Sequence, residues 1–238
     1  MIHYAAQLYQ PKDPDQFDLL VHTLEHNLQL AEVESATIFL DGCDSPWSQR
    51  SNLNLVRLDR HATFADFLAL PACIGVGAAH HLLFANSDIQ FDSSCGLLAQ
   101  RLRADTSVAC ITRQETQGVL EAPLDPMQSQ DAWMLRVQLF SRLLLDQLAG
   151  LRLGVPGCEH LLASVLVGHG FDLWNPSLDC RAWHMDPKPM AYQPGGERYW
   201  GFYAYVPACW IADVEELSPE VQFSLARQPG AYSRAWLD

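Results

Sequence analysis

The chain has 238 residues, of which 49% are apolar, and carries 28 Asp and Glu against 15 Lys and Arg, a formal net charge of −13. That length and apolar content predict one large folded domain with a sizeable core and exclude a disordered chain. The acidity, with no basic run to override it, excludes nucleic acid as a partner and points to a small-molecule substrate, one that a divalent cation can bring in.

Strand-like and helix-like segments alternate from the start, the pattern of a mainly parallel sheet covered by helices. Residues 3–9 read as a first strand. Asp13-Pro14 then offers a helix cap with proline at the first helical position, where its missing N–H costs nothing. Phe17, Leu20, Val21, Leu24 and Leu28 follow at helical spacing and predict one apolar face packed on the sheet. Residues 35–40 are a second strand ending at Asp41, and 54–58 a third ending at Asp59. Thr63 can cap a helix through Leu70, with Asp66 in its first turn.

Residues 81–85 form a fourth strand that runs into Asn86-Ser87-Asp88, and 107–112 a fifth. The polar stretch 113–130, with Gly118, Pro123 and Pro126, reads as a long loop. Residues 133–148 turn from strand to helix. Gly154-Val155-Pro156-Gly157 is a turn, 159–167 a helix stopped by Gly168 or Gly170, and 171–174 a short strand. Beyond Asp186 the composition shifts to Pro, Gly, Tyr and Trp, so residues 1–186 are expected to form the catalytic domain and 187–238 an irregular extension or flap packed on it.

Several signatures are missing. There is no G-x-x-x-x-G-K-[ST] loop and no G-x-S-x-G elbow, and Gly75-Val76-Gly77 begins a dinucleotide-like pattern that His80 breaks. Seven scattered cysteines without a Cys-x-x-Cys pair argue for reduced thiols in a cytoplasmic protein. No leader is expected, since the N-terminus lacks a basic stretch before an apolar one. The longest apolar run, 68–85, contains Pro71 and a His80-His81 pair and is a poor membrane span, so any membrane contact is expected to be peripheral.

The chemistry-bearing residues sit at strand ends and one helix start. An apolar strand ending in Asn86-Ser87-Asp88 puts a carboxylate at the carboxyl edge of a parallel sheet, where ligands of open α/β sheets bind. A carboxylate there can hold a hard divalent cation that bridges phosphate oxygens. An ordinary strand-to-turn junction, with Asp88 capping the next segment, fits the same residues. Asp131 stands beside Trp133 just after the long loop, and Glu159 lies in the first turn of a helix after Gly157. A helix-dipole role explains Glu159 equally well, and a backbone hydrogen bond explains His184.

Taken in order, the runs ANSDIQFD (85–92), SQDAW (129–133), PGCEH (156–160), HGFDLWNPS (169–177) and AWH (182–184) resemble a bacterial group of GT-A-fold, family 2-like nucleotide-sugar glycosyltransferases. The matching segments cover about residues 3–185. The resemblance implies an α/β, Rossmann-like sheet and transfer of a sugar from a nucleoside diphosphate donor to an acceptor hydroxyl, in glycan or glycoconjugate synthesis. It implies Mn2+ or Mg2+ as cofactor. Asn86 and Asp88 align with the Asp-x-Asp-type triplet, Asp88 being the metal-binding carboxylate, and His184 completes the metal shell. Glu159 takes the place of the general base and Asp131 a place beside the acceptor, with Trp133 as a stacking surface for sugar. Asp41 and Asp59 contact the base or ribose. The chain departs from the pattern at Asn86, in place of an acid, and at Cys158, in place of the acid before Glu159. Those departures leave open a catalytically inert binding or scaffold partner; a nucleotidyltransferase is the other alternative.

Overall fold

The computed structural model describes residues 1–48, 50–74, 81–115, 129–186 and 197–226. The Gly75-Val76-Gly77 turn, most of the long loop expected over 113–130 and the Pro-rich start of the extension lie outside the described residues. In chain order the elements are β1 (Ile2–Tyr9), α1 (Pro14–Leu28), β2 (Val33–Asp41), β3 (Leu53–Leu58), α2 (Phe64–Ile74), β4 (His81–Ala85), β5 (Ile89–Phe91), α3 (Ser94–Arg101) and β6 (Ser107–Ile111). There follow β7 (Gln114–Glu115), β8 (Ala132–Arg136), α4 (Arg142–Leu148), α5 (Cys158–Gly168), β9 (Asp172–Trp174), β10 (Ala182–His184), β11 (Gly201–Tyr205) and β12 (Gln222–Ala226).

Seven strands form the central sheet, in the order β3-β2-β1-β4-β8-β6-β9. All its pairings are parallel except those of β8, which runs antiparallel to both β4 and β6. Its inner strands β1, β4, β8 and β6 are buried on both faces, which is why they read as nearly continuous apolar runs. Along β1, Tyr4, Ala6 and Leu8 enter one core and Ala5 the other. Along β4, Leu83 and Ala85 join the first core, and Leu82 and Phe84 the second. Each fully buried Leu or Phe contributes roughly 1.5–3 kcal/mol, so the sheet dominates stability.

Helix α1 forms as its sequence indicates. Asp13 caps it, accepting from the Asp15 amide at 3.1 Å, Pro14 opens it, and Leu20 and Leu24 are buried against the sheet. Helix α2 runs past the expected Leu70 and through Pro71 to Ile74. At its start Asp66 accepts from both the Thr63 amide (2.7 Å) and its hydroxyl (2.8 Å).

Three short strands absent from the sequence reading make a second sheet, β5-β10-β7, beside the carboxyl end of β4. The described part of the extension, expected to be irregular, contains the antiparallel β11–β12 hairpin. It also buries Tyr203, Ala204, Val206, Ile211 and Val214.

Candidate active site

The order of strands reverses between β1 and β4, and the crevice outside the carboxyl ends of such a pair is where open α/β sheets bind ligands. Here it is a cleft of about 330 Å³ whose walls include Gln7, His61, Asn86, Asp88, His184 and Asp186. Ser87, just past β4, ties its hydroxyl to the Gln7 carbonyl and so joins the two strand ends across the reversal.

Strand register brings Asp88 and His184 together. β10 pairs antiparallel with β5, with His184 opposite Ile89, and the Met185 amide donates to the Asp88 carbonyl at 2.8 Å. His184 Nε2 consequently lies 3.2 Å from Asp88 Oδ2. The imidazole is almost wholly buried, while the carboxylate keeps 24% of its side chain exposed to the cleft.

At the far end of the cleft Asp41, closing β2, is tied to His61 and accepts from Gln7 Nε2 at 3.2 Å. Gln7 Oε1 in turn accepts from the Ala62 amide at 2.8 Å, so the side chain is held at both ends. Asp41 therefore reaches the cleft through Gln7 and His61 rather than lining it. Asp59 is exposed beyond β3 and is not among the wall residues.

A second chamber of about 230 Å³ adjoins the first, and Asn86 and the Leu153-Gly154 turn belong to the walls of both. Because β8 is antiparallel, its start lies beside the end of β4, and the Asn86 amide donates to the Asp131 carbonyl at 3.0 Å. The Asn86 side chain adds a bond from Nδ2 to Asp131 Oδ1 at 2.7 Å, and the Ser129 hydroxyl binds Oδ2. Arg113 Nη1 stands 3.8 Å from Asp131 Oδ1. Burial raises the Asp131 carboxyl from its ordinary value, against the pull of Arg113.

Glu159 lines the same chamber from the first turn of α5. Gly157 makes that placement, turning the chain into the helix at φ 88°, a left-handed conformation that favours glycine. Burial, with Asp131 nearby, raises the Glu159 carboxyl to about 7. A carboxyl poised there can take a proton near neutral pH.

The structure thus gathers Asn86, Asp88, Asp131, Glu159 and His184 around one continuous crevice. Trp133 is a correction: it is fully buried between β4 and β6, opposite Phe84 and Cys110, and offers no surface to a sugar. Sequence reasoning missed Gln7, His61, Arg113 and Arg198, all of which line the crevice. For Gln7 a signal existed, a polar residue at the carboxyl end of an apolar first strand.

A Rossmann-like sheet in this order, with one antiparallel strand and a small second sheet beside the reversal, is a GT-A-like fold. Among solved structures, the chain is similar to the mannosyltransferase PcManGT from Pyrobaculum calidifontis, in complex with GDP-Man and Mn2+, with a TM-score of 0.51 and 13% identity. The match covers 79% of this chain but only 58% of the mannosyltransferase. S. aureus TarS gives a TM-score of 0.46 at 11% identity, over 78% of this chain and 36% of that one. A 4-diphosphocytidyl-2C-methyl-D-erythritol synthase gives 0.46 at 14%, over 82% and 94%. No protein-family model matches the chain, and no curated protein matches it by sequence. No helix among the described residues is long and apolar enough to cross a membrane.

Proposed function

We propose that this chain is a glycosyltransferase that moves a sugar from a nucleoside diphosphate sugar to an acceptor hydroxyl. The observation that carries the reading is the joining of two chambers through Asn86. One holds the Asp88–His184 pair at the strand reversal, the other Glu159 and Asp131. A donor lying across the reversal would place its diphosphate by Asp88 and its nucleoside toward Gln7, His61 and Asp41.

The donor set suits a divalent cation. A carboxylate oxygen and an imidazole nitrogen converge on the cleft, and that pairing with phosphate oxygens is acceptable to Mn2+ and, through oxygen, to Mg2+. Among the described residues no cluster of three or more acidic, His or Cys side chains is arranged for a metal, so diphosphate and water would supply the other ligands. A cation held by Asp88 and His184 would supply Lewis-acid stabilisation of the charge on a departing diphosphate. The mannosyltransferase with GDP-Man and Mn2+ supports this reading by its similar fold.

Glu159 then accepts the proton of the attacking hydroxyl, if the anomeric centre inverts, and Asp131 orients the acceptor. Asn86, in the place of an acid, serves to anchor Asp131. The seven free cysteines support a reducing, cytoplasmic setting. The test is thermal unfolding with a panel of nucleoside diphosphates, with and without Mn2+, since a ligand that binds only the native state raises Tm. Stabilisation that requires both nucleotide and metal supports the proposal. No response to any nucleotide sinks it in favour of an inert scaffold.

A further inference from the structure

The wall shared by the two chambers is a turn between α4 and α5. Leu153 and Gly154 line both chambers, while Pro156 and Gly157 line the second. Gly154 and Gly157 take left-handed φ values of 82° and 88°, so the turn is shaped by backbone rather than by packed side chains. Its first half is fastened to the start of α2. The Phe64 amide donates to the Leu151 carbonyl at 2.9 Å, and the Leu153 amide to the Ala62 carbonyl at 3.4 Å.

Tyr199, from the segment ahead of β11, spans the whole turn. Its hydroxyl donates to the Gly150 carbonyl at 2.7 Å and accepts from the Arg152 amide at 3.1 Å. Its own amide donates to the Pro156 carbonyl at 3.0 Å. One residue therefore bonds the backbone on both sides of Leu153-Gly154. Tyr199 is itself tied down, because its carbonyl accepts from the hydroxyl of Tyr203, a buried residue of β11. Strand β11 is in turn bonded to α5, the Ser164 hydroxyl donating to the Phe202 carbonyl at 2.6 Å.

From this clasp we propose that Tyr199 is a positioning residue. It fixes the Leu153-Gly154 wall at the junction of the chambers, where a donor's sugar would lie once its diphosphate is beside Asp88. Placing a sugar there rests on the transferase reading; the hold of Tyr199 on the turn does not. Such a residue acts without touching substrate, because a displacement of about 1 Å near a reacting centre costs on the order of a hundredfold in rate. Tyr199→Phe keeps the ring and removes only the hydroxyl. Gly150 is exposed and Arg152 partly so, which lets water take the released backbone groups and keeps the fold.

The experiment is calorimetric titration of the whole chain, with Mn2+, against ADP, CDP, GDP, TDP, UDP and their glucose conjugates. For a pair that the parent binds, Tyr199→Phe should hold the bare nucleotide within about twofold, since Gln7, His61 and Asp88 are untouched. The conjugate should bind about fivefold or more weakly. Without ligand, hydrogen exchange at the amides of 152–154 should be faster in the variant and unchanged in the central sheet. Equal weakening of nucleotide and conjugate, or of neither, overturns the proposal, as does unchanged exchange at the turn. Should Tyr199→Phe fail to fold, Tyr203→Phe, which frees the Tyr199 carbonyl, is read by the same criteria. A parent that binds no nucleotide or conjugate sinks the transferase reading, and the exchange rates then decide whether Tyr199 holds the turn.

Discussion

His184 Nε2 lies 3.2 Å from Asp88 Oδ2, although the two residues are 96 positions apart in the chain. The contact follows from the antiparallel register of β10 on β5, which sets His184, the last residue of β10, beside Asp88 in the short turn between β4 and β5. Asp88→Asn should abolish Mn2+-dependent nucleoside diphosphate binding while leaving the fold intact. A variant that binds the metal–nucleotide pair as tightly as the parent would move the site elsewhere.

His184→Ala separates metal holding from packing. The imidazole is buried, so its loss should lower ligand-free stability by about 1–3 kcal/mol. It should also weaken Mn2+ binding measured with nucleotide present. If stability falls but metal affinity is unchanged, the histidine's role is structural only.

Glu159→Gln tests the base. Donor affinity should be kept, while turnover on an identified acceptor drops roughly a hundredfold to ten-thousandfold. Because the base must be ionised and its carboxyl is raised to about 7, the parent rate should climb with pH and flatten above that point. The variant should lose this rise. A fall of less than about tenfold in turnover would retire the assignment.

The same carboxyl should show in stability. Its folded value of about 7 lies above the ordinary 4.5, so between the two the folded chain holds a proton that the unfolded chain has released. The carboxyl's contribution thus declines as pH rises from about 4.5 through about 7, by about 3 kcal/mol in all, and is level beyond. Glu159→Gln should then be more stable than the parent at pH 8, with the gain shrinking toward pH 5. Denaturant melts at both pH values check it, and a constant difference would contradict the burial argument.

Gly157→Ala should be strongly destabilising. An added Cβ would lie 2.6 Å from the Tyr199 carbonyl oxygen and meet the Tyr203 hydroxyl, in a backbone conformation that alanine resists. Strain and overpacking together should cost about 2–4 kcal/mol, read as a lowered Tm. An unchanged Tm would mean that this turn is looser than its contacts imply.

Much of the frame was legible before any coordinates. Tyr9, Asp41, Leu58 and Ala85 close their strands as the runs of apolar residues indicate, and Asp88 follows the fourth strand at the sheet edge. Trp133 was misread because β8 is buried on both faces: Ala132, Trp133 and Met134 are all fully enclosed, so alternation gives no sign of which side faces what. The antiparallel sense of β8 and the three-stranded sheet depend on pairings between distant segments, and strands of two or three residues leave no periodic trace. Arg113 and Arg198 stand in stretches with no motif, and only folding brings both to the wall of one chamber.

The reversed strand also has an effect on how the crevice can change over time. Every other strand of the central sheet leaves the cleft side by its end; β8 alone arrives there by its start, with Asp131 at the threshold. Chain added or removed just upstream of Ser129 is therefore delivered at the doorway of the Glu159 chamber, without displacing any rung of the ladder behind it. A lineage of such proteins could change what that chamber admits by editing that approach, while the cleft at the strand reversal and the enclosed core stay as they are.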